Sequence, residues 1–305
     1  MYIIRSTAFA VLQLVITMFF VMSITFFIAH LIPGSPFYSS GKGTSNIVTE
    51  TLTQNTGLGD NVFTQYIRFL KELFTFNFGD SLIHSGVEVK TIVFNALGAS
   101  LQVGVTAVIL SLISVTLITQ LISFLKQNKY INVVLGVIGT TIPTFVFSIL
   151  FQWLFCLVLR IAPPFWDKTF LGSLPAVFSL SIYPTCYMVM ILSDAISDEL
   201  DKLYCKLLLL RGKRKTAIVR QHALPNAIPS IIGAAVPLYT NILMGSFIVE
   251  KVFAISGIGW YFIESITNRD YPTILGLTFF FSLFFIVVTI TTDAIYLSTK
   301  HRSST

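Results

Sequence analysis

Long apolar runs separated by short polar connections dominate the chain. A helix needs about 20 residues to cross about 30 Å of hydrocarbon. At that length the pattern predicts six spans, at residues 8–31, 99–124, 131–159, 174–196, 228–249 and 273–297. The first run follows Arg5, outlasts a signal-peptide core and lacks a small-residue cleavage site, so it reads as an uncleaved span. Between the first two spans lies a polar segment, residues 33–98. Its Lys42, Arg68, Lys71 and Lys90 are outnumbered by Glu50, Asp60, Glu72, Asp80 and Glu88, which predicts that it faces outward.

Composition places this pattern in a membrane. With 54% hydrophobic residues and 28 Phe in 305 positions, the chain has more apolar side chains than a soluble core of its size can hide. The net charge of +6 does not indicate nucleic acid, because the basic residues sit at the ends of apolar runs rather than among exposed aromatics. Their distribution instead sets the topology. Arg5, Lys126, Lys129, the seven from Lys202 to Arg220, Lys300 and Arg302 fall on one side. The alternate loops carry Arg160, Lys168, Lys251 and Arg269, roughly balanced by Asp167, Glu250, Glu264 and Asp270. Both termini are therefore predicted to be cytoplasmic.

The span interiors are short of ionisable groups. Asp194, Glu250 and Asp293 sit near predicted span ends, and Gln13, Gln120, Gln152 and Asn241 lie further in. A carrier driven by protons or sodium would normally keep a charge at depth. Cys156, Cys186 and Cys205 lack the paired spacing of a redox or metal site, and the four histidines are scattered. Gly41-Lys42-Gly43-Thr44 faintly resembles a phosphate loop, but its first glycine is misplaced and no strand precedes it. The chain reads as no enzyme and no metal protein, so if it drives transport, a partner supplies the energy. An ion-coupled secondary carrier and a non-transporting membrane scaffold remain as alternatives at this point.

The stretch RGKRKTAIVRQHALPNA, residues 211–227, concentrates five of the twenty Lys and Arg. Ahead of it, residues 198–210 suit a short helix with Asp198, Glu199 and Asp201 at its dipole-favoured start. Gly212 is placed to stop it, because glycine accepts positive φ without a Cβ clash. A second short helix, residues 213–224, is expected to break at Pro225. The two make a knob between spans four and five, on which Leu207, Leu208, Leu209 and Leu210 form an apolar patch unless another protein covers them. The bland alternative is that the basic residues fix topology and the leucines pack on neighbouring spans.

Gly212, nine intervening residues and then His222-Ala223-Leu224-Pro225-Asn226-Ala227 resemble the coupling motif of ABC importer permeases of the dipeptide, oligopeptide and nickel class. Leu31-Ile32-Pro33-Gly34-Ser35-Pro36, Gly57-Leu58-Gly59-Asp60, Gln65-Tyr66 and Phe78-Gly79-Asp80-Ser81 are similar to the start and outer segment of that class. Val249-Glu250-Lys251-Val252-Phe253, Gly257-Ile258-Gly259 and Asn268-Arg269-Asp270-Tyr271-Pro272 resemble its loop before the last span. With Gly245-Ser246 added, the combination is most similar to the first of the two permease subunits of oligopeptide importers. The matches cover nearly the whole chain in order. The chain departs from the pattern at Ser35, which replaces the usual Asp, at Ser256, which replaces Pro, and at Leu207–Leu210, which replace small residues.

The resemblance implies an all-α integral membrane protein of type I importer permease fold in a bacterial cell membrane. Residues 1–32 would be the first transmembrane helix, 33–98 an extracellular segment, and 99–305 a five-helix core containing the coupling region 198–226. It implies a second permease subunit, two cytoplasmic ATPase subunits that use ATP and Mg, and a substrate-binding protein as partners, with no cofactor on this chain. Leu207, Leu208, Leu209, Leu210, Arg211, Gly212, His222, Pro225 and Asn226 would couple to the ATPase, the bulky leucines implying a reshaped partner groove or a shallower fit. Asp80, Glu88, Glu264 and Asp270 would contact the binding protein. Gln152, Tyr187, Asn241 and Ser246 are candidates for the substrate path. The implied substrate is an oligopeptide, with dipeptides next and nickel or metallophore complexes third.

Overall fold

The computed structural model describes residues 2–31, 59–84, 86–124, 129–243 and 246–303. Of the readings above, those on residues 32–36, 41–44, 50, 57–58, 126 and 245 lie outside the described residues. Regular structure among the described residues is helical apart from one isolated β-bridge between Asp80 and Glu88. The first helices are α1 Tyr2–Leu31, α2 Val62–Thr75, α3 Val89–Phe124, α4 Lys129–Thr141 and α5 Thr144–Gln152, the last continued by a π-helical turn Trp153–Val158. Next come α6 Phe170–Asp201, α7 Leu203–Leu210 and α8 Lys215–Ile218, then a second π-helical turn Val219–Ala223. The chain closes with α9 Leu224–Leu243, α10 Phe247–Val252, α11 Ile258–Asn268 and α12 Tyr271–Ser303.

Among the described residues, five stretches are long and apolar enough to cross a membrane: Leu12–Leu31, Val89–Ile122, Phe170–Asp201, Ile231–Val252 and Tyr271–Thr291. The predicted span at 131–159 is not one rod. It is two helical pieces, Val133–Thr141 and Thr144–Val158, bent by 86°. The cause is Pro143, which lies outside helical geometry at φ −60°, ψ 142°. Its ring lacks an N–H to continue the ladder and biases the preceding residue away from helix.

The chain divides into two compact units. The first joins Met1–Ala99 with Ser256–Val287. Its core packs Met18, Met22 and Phe26 of α1 against Phe69 of α2, Val89, Val93 and Ala96 of α3, and Leu275, Leu277 and Phe279 of α12. Gly276 is needed at this contact, because a Cβ there would stand 2.4 Å from a methyl of Val89.

The second unit, Ser100–Ile255 with Val288–Thr305, is built around α6, which packs against α4, α5 and α9. The proline rings at 175 and 184 sit inside α6. Serine and threonine hydroxyls bond back to the same helix, Ser179 to the Pro175 carbonyl at 2.7 Å and Thr185 to the Ser181 carbonyl at 2.6 Å. The Thr185 hydroxyl also meets that of Ser111 of α3 at 3.0 Å, and Ser111 meets the Tyr239 hydroxyl of α9 at 3.2 Å. Such interhelical bonds contribute about 0.6 kcal/mol each in membranes, so this joint fixes register more than it adds stability. Backbones approach closely where glycine allows. A Cβ on Gly104 would lie 2.8 Å from the Ile242 carbonyl oxygen, and one on Gly139 would lie 2.1 Å from Cys186 Cβ.

Gly104→Ala should therefore lower the thermal stability of the detergent-purified protein, by about 1–3 kcal/mol for an overpacked contact. Gly98→Ala, where an added Cβ meets nothing within 4 Å, should be neutral or slightly stabilising in the same melting assay. Equal melting temperatures for the two variants would contradict the close α3–α9 approach.

Candidate functional site

The expected first helix of the knob divides in two. Asp198 and Glu199 belong to the last turn of α6, which ends at Lys202 in extended geometry, and α7 then starts anew at Leu203. The acids expected to start a separate helix thus complete the central one. At the far end of α7, Gly212 N–H bonds the Leu209 carbonyl at 2.9 Å and Lys213 N–H bonds the Leu208 carbonyl at 3.2 Å. Gly212 has φ +80°. This pairing with a left-handed residue is a Schellman closure, in which glycine satisfies the orphan carbonyls of the last turn.

The break expected at Pro225 does not occur. Helical backbone runs from Lys215 through the π turn into α9, so Pro225 occupies the first turn of α9. The reason lies in the wider turn, where Leu224 N–H reaches the Val219 carbonyl five residues back. A π turn absorbs a local defect without ending the helix.

A hydrogen-bonded tether closes the knob. The Tyr204 hydroxyl donates to Glu199 Oε2 at 2.7 Å and accepts from Asn226 Nδ2 at 3.0 Å, while Lys202 pairs with the other Glu199 oxygen. The bond to Glu199 holds the proton on Tyr204 and pushes its pKa up to about 12. Through this tether the start of α9 is fixed to the end of α6. Beneath it Cys205, Ile218, Val219, Ala223 and Ala227 are buried. His222 is half-buried, and its Nε2 meets no hydrogen-bond partner among the described residues. Tyr204 was not singled out from sequence, and Glu199 only as one of the acids expected to start a helix, since a Tyr five residues after a Glu has no recognisable spacing.

The outer surface of the knob is apolar and basic at once. Leu203 is 73% exposed and Leu210 83%, with Leu207 and Leu209 also exposed and Leu208 half-buried. Leu203, Leu207 and Leu210 share one helical face at spacings of four and three. Arg211, Gly212, Lys213, Arg214 and Lys215 follow at the tip, all exposed. Leu207, Leu209 and Leu210 are thus exposed where the bland reading required them to pack on neighbouring spans, and Leu208 is half-buried.

In the first unit, two of the sequence motifs come together. Asp270, only 1% exposed, accepts from the Ser81 hydroxyl, from Leu82 N–H at 3.1 Å and from the Thr273 hydroxyl at 2.7 Å. Asp270 is therefore a structural clamp on the 79–84 loop and presents no free carboxylate face to a partner, which corrects the docking role expected of it. Glu264 is partly buried, 3.7 Å from His84 Nε2. Asp80 and Glu88 are exposed and face each other across the β-bridge. The four path candidates all lie in the second unit. Gln152 donates to the Pro164 carbonyl at 2.8 Å, and Ser246 caps α10 through Val249 N–H. Tyr187 is half-buried and stacks on Tyr183, and Asn241 is exposed on α9.

Known proteins match this chain over most of its length. The family described as "Binding-protein-dependent transport system inner membrane component" matches residues 125–302, and its N-terminal companion matches residues 1–81. The dipeptide transport system permease protein DppB of Bacillus subtilis (strain 168) is 32% identical over 284 residues, 92% of this chain and 91% of that protein. DppB of Lactococcus lactis subsp. cremoris (strain MG1363) is 29% identical over 283 residues, 92% of each chain. The oligopeptide transport system permease protein OppB of Escherichia coli (strain K12) is 29% identical over 274 residues, 88% of each chain.

Two substitutions test the tethers. Tyr204→Phe removes two partly exposed bonds, about 1 kcal/mol net, so tryptic cleavage within residues 211–215 should quicken about fivefold in native protein. An unchanged cleavage rate would mean the tether does not hold the knob. Asp270→Ala leaves the buried hydroxyls of Ser81 and Thr273 and the partly buried Leu82 N–H without their acceptor and should cost about 2–3 kcal/mol, read as a lowered melting temperature.

Proposed function

The chain belongs to the binding-protein-dependent transport system inner membrane component family, and on that premise we propose that it is a permease subunit of an ATP-driven peptide importer. The knob at residues 198–226 receives the work of ATP from a separate ATPase. The observation that carries this is the exposed leucine face of α7 joined to a basic tip and rigidly tied to two span ends. A surface that leaves Leu203, Leu207 and Leu210 in water has a cost that a partner groove removes.

In this reading α7 seats in a groove on a cytoplasmic ATPase, with Leu207 to Leu210 and Arg211 as the contact and Gly212 as the turn behind it. Two ATPase subunits close on ATP and Mg, which they bind themselves, and this chain carries the displacement. His222, Pro225 and Asn226 lie where the motion enters α9. The tether from Asn226 through Tyr204 to Glu199 passes the same displacement to α6. The two spans then reorient together, opening a path between this chain and a second permease.

The basic tip is cytoplasmic by the positive-inside rule, which puts both termini inside and the Asp80–Glu88 pair outside. That exposed acidic pair suits reversible contact with a substrate-binding protein, with Asp270 and Glu264 shaping the surface beneath it. Peptides are the substrate class, since the relatives named for their cargo carry dipeptides and oligopeptides. The binding protein sets which lengths are accepted. Tyr187 and Asn241 remain path candidates, while Gln152 and Ser246 are engaged in holding backbone.

Gly212→Val tests the coupling. A β-branched residue at φ +80° is strained, by about 1–2 kcal/mol or more, so the α7 closure must change shape. Membrane insertion and recovery with the ATPase subunits should persist. ATP-dependent uptake of labelled di- and oligopeptides in proteoliposomes with the binding protein should fall at least about tenfold, since 1.4 kcal/mol is a factor of ten. Wild-type uptake by this variant would sink the proposal.

A further inference from the structure

Helix α2 has three faces where an ordinary surface helix has two. One face packs inward: Phe69 is buried, and Tyr66, Leu70 and Leu73 lie against the core of the first unit. A second face is polar, with Thr64, Arg68, Lys71 and Thr75 all exposed. The third is apolar and open. Phe63 is 68% exposed, Phe74 82%, and Ile67 is exposed between them. At 100° per residue these three side chains fall within about 40° of one another around the axis. The open apolar face sits between the packed face and the polar one.

The neighbour of α2 sets its depth. Its contacts to α1 are at Ser23, which bonds the Tyr66 hydroxyl at 2.7 Å, at Phe26 and Phe27, whose rings lie 5.3 and 5.2 Å from that of Tyr66, and at His30, 2.9 Å from Gln65. All four α1 residues lie inside the apolar span Leu12–Leu31. Ser23 stands about 12 Å along the axis from the end of that span, at 1.5 Å per residue. At this level α1 itself presents Ile24, Phe27, Ile28 and Leu31 outward, the last 79% exposed. The open face of α2 thus continues the lipid-facing surface of α1 at the same depth.

We propose that α2 is an interfacial helix lying in the membrane boundary, with Phe63, Ile67 and Phe74 in the acyl layer and Thr64, Arg68 and Lys71 at the headgroups. Phe63 and Phe74 are about 17 Å apart along the axis, so a helix that buries both lies nearly flat in the interface. The lipid holds the segment by one face while α1 holds it by another. The inference depends only on α1 spanning the membrane and stands apart from the importer reading.

The test places p-benzoylphenylalanine at Phe63, Phe74, Lys71 and, as a lipid-facing reference, Ile28, in the full chain assembled in its native membrane. After illumination, lipid adducts are read by mass spectrometry and protein adducts by band shift. Lipid adducts at 63 and 74 within about twofold of those at 28, and about fivefold fewer at 71, are the expected result for an interfacial helix. Protein adducts at 63 and 74, to a binding protein or another permease, would overturn the proposal, and so would no adduct there while 28 reacts with lipid. In liposomes of phosphatidylcholine brominated on its acyl chains, Phe74→Trp should add a quenched emission over the parent protein. Unquenched added emission would also overturn it.

Discussion

A backbone N–H or carbonyl carried into hydrocarbon without a partner costs several kcal/mol, and the rest of this structure follows from how the chain avoids that cost. Plain helix does so by itself, which is why the apolar runs fold as they do. Interest attaches to the places where helix fails. At Pro143 the ladder stops and the chain bends by 86°. At the end of α5 the chain turns π-helical, and Leu159 N–H finds the Leu154 carbonyl at 2.8 Å. Gln152 then donates to the Pro164 carbonyl of the following loop. A polar side chain that sequence made a candidate for substrate is engaged in satisfying backbone.

Because lipid tails are as apolar as leucine, helices in a membrane gain little from burying leucine against leucine. Close approach and local polar contacts must hold them instead. Gly104 admits the backbone at Ile242, Gly139 admits Cys186, and Ser111, Thr185 and Tyr239 meet where α3, α6 and α9 join. This accounts for buried Thr185 of α6 without assigning it to transport. It also makes α6 the axis of its unit, so that whatever moves the end of α6 moves the helices packed on it.

The spans were legible because hydrophobicity sustained over about 20 residues has few other uses. The knob was legible in part. Glycine at 212 announced a helix stop, and its positive φ bears out the physical reason. Pro225 announced a break that did not happen, because a π turn is invisible to sequence rules built on the 3.6-residue repeat. Asp270 looked like a surface charge, since the Ser81 partner that buries it lies 189 positions away. Tyr204 escaped notice for a similar reason: its partners are set by how two span ends meet, which no local pattern encodes. Local backbone preferences could be read from neighbours in sequence, while tethers could not.

The two surprises in the knob bear on each other. Had the chain broken at Pro225, the basic tip would hang from α9 by a loop, and a push on α7 would be lost in it. Continuous helical backbone from Lys215 to Leu243 instead makes the tip and the span a single lever. Within residues 198–226, Gly212 is the one residue with positive φ, so it sets the angle between α7 and that lever. The Tyr204 tether joins the base of α7 to the same lever and to α6. A force applied to the leucines of α7 therefore has a stiff route into two spans and one defined bend on the way. In the proposed importer, that bend would decide how far the spans turn for a given closure of the ATPase.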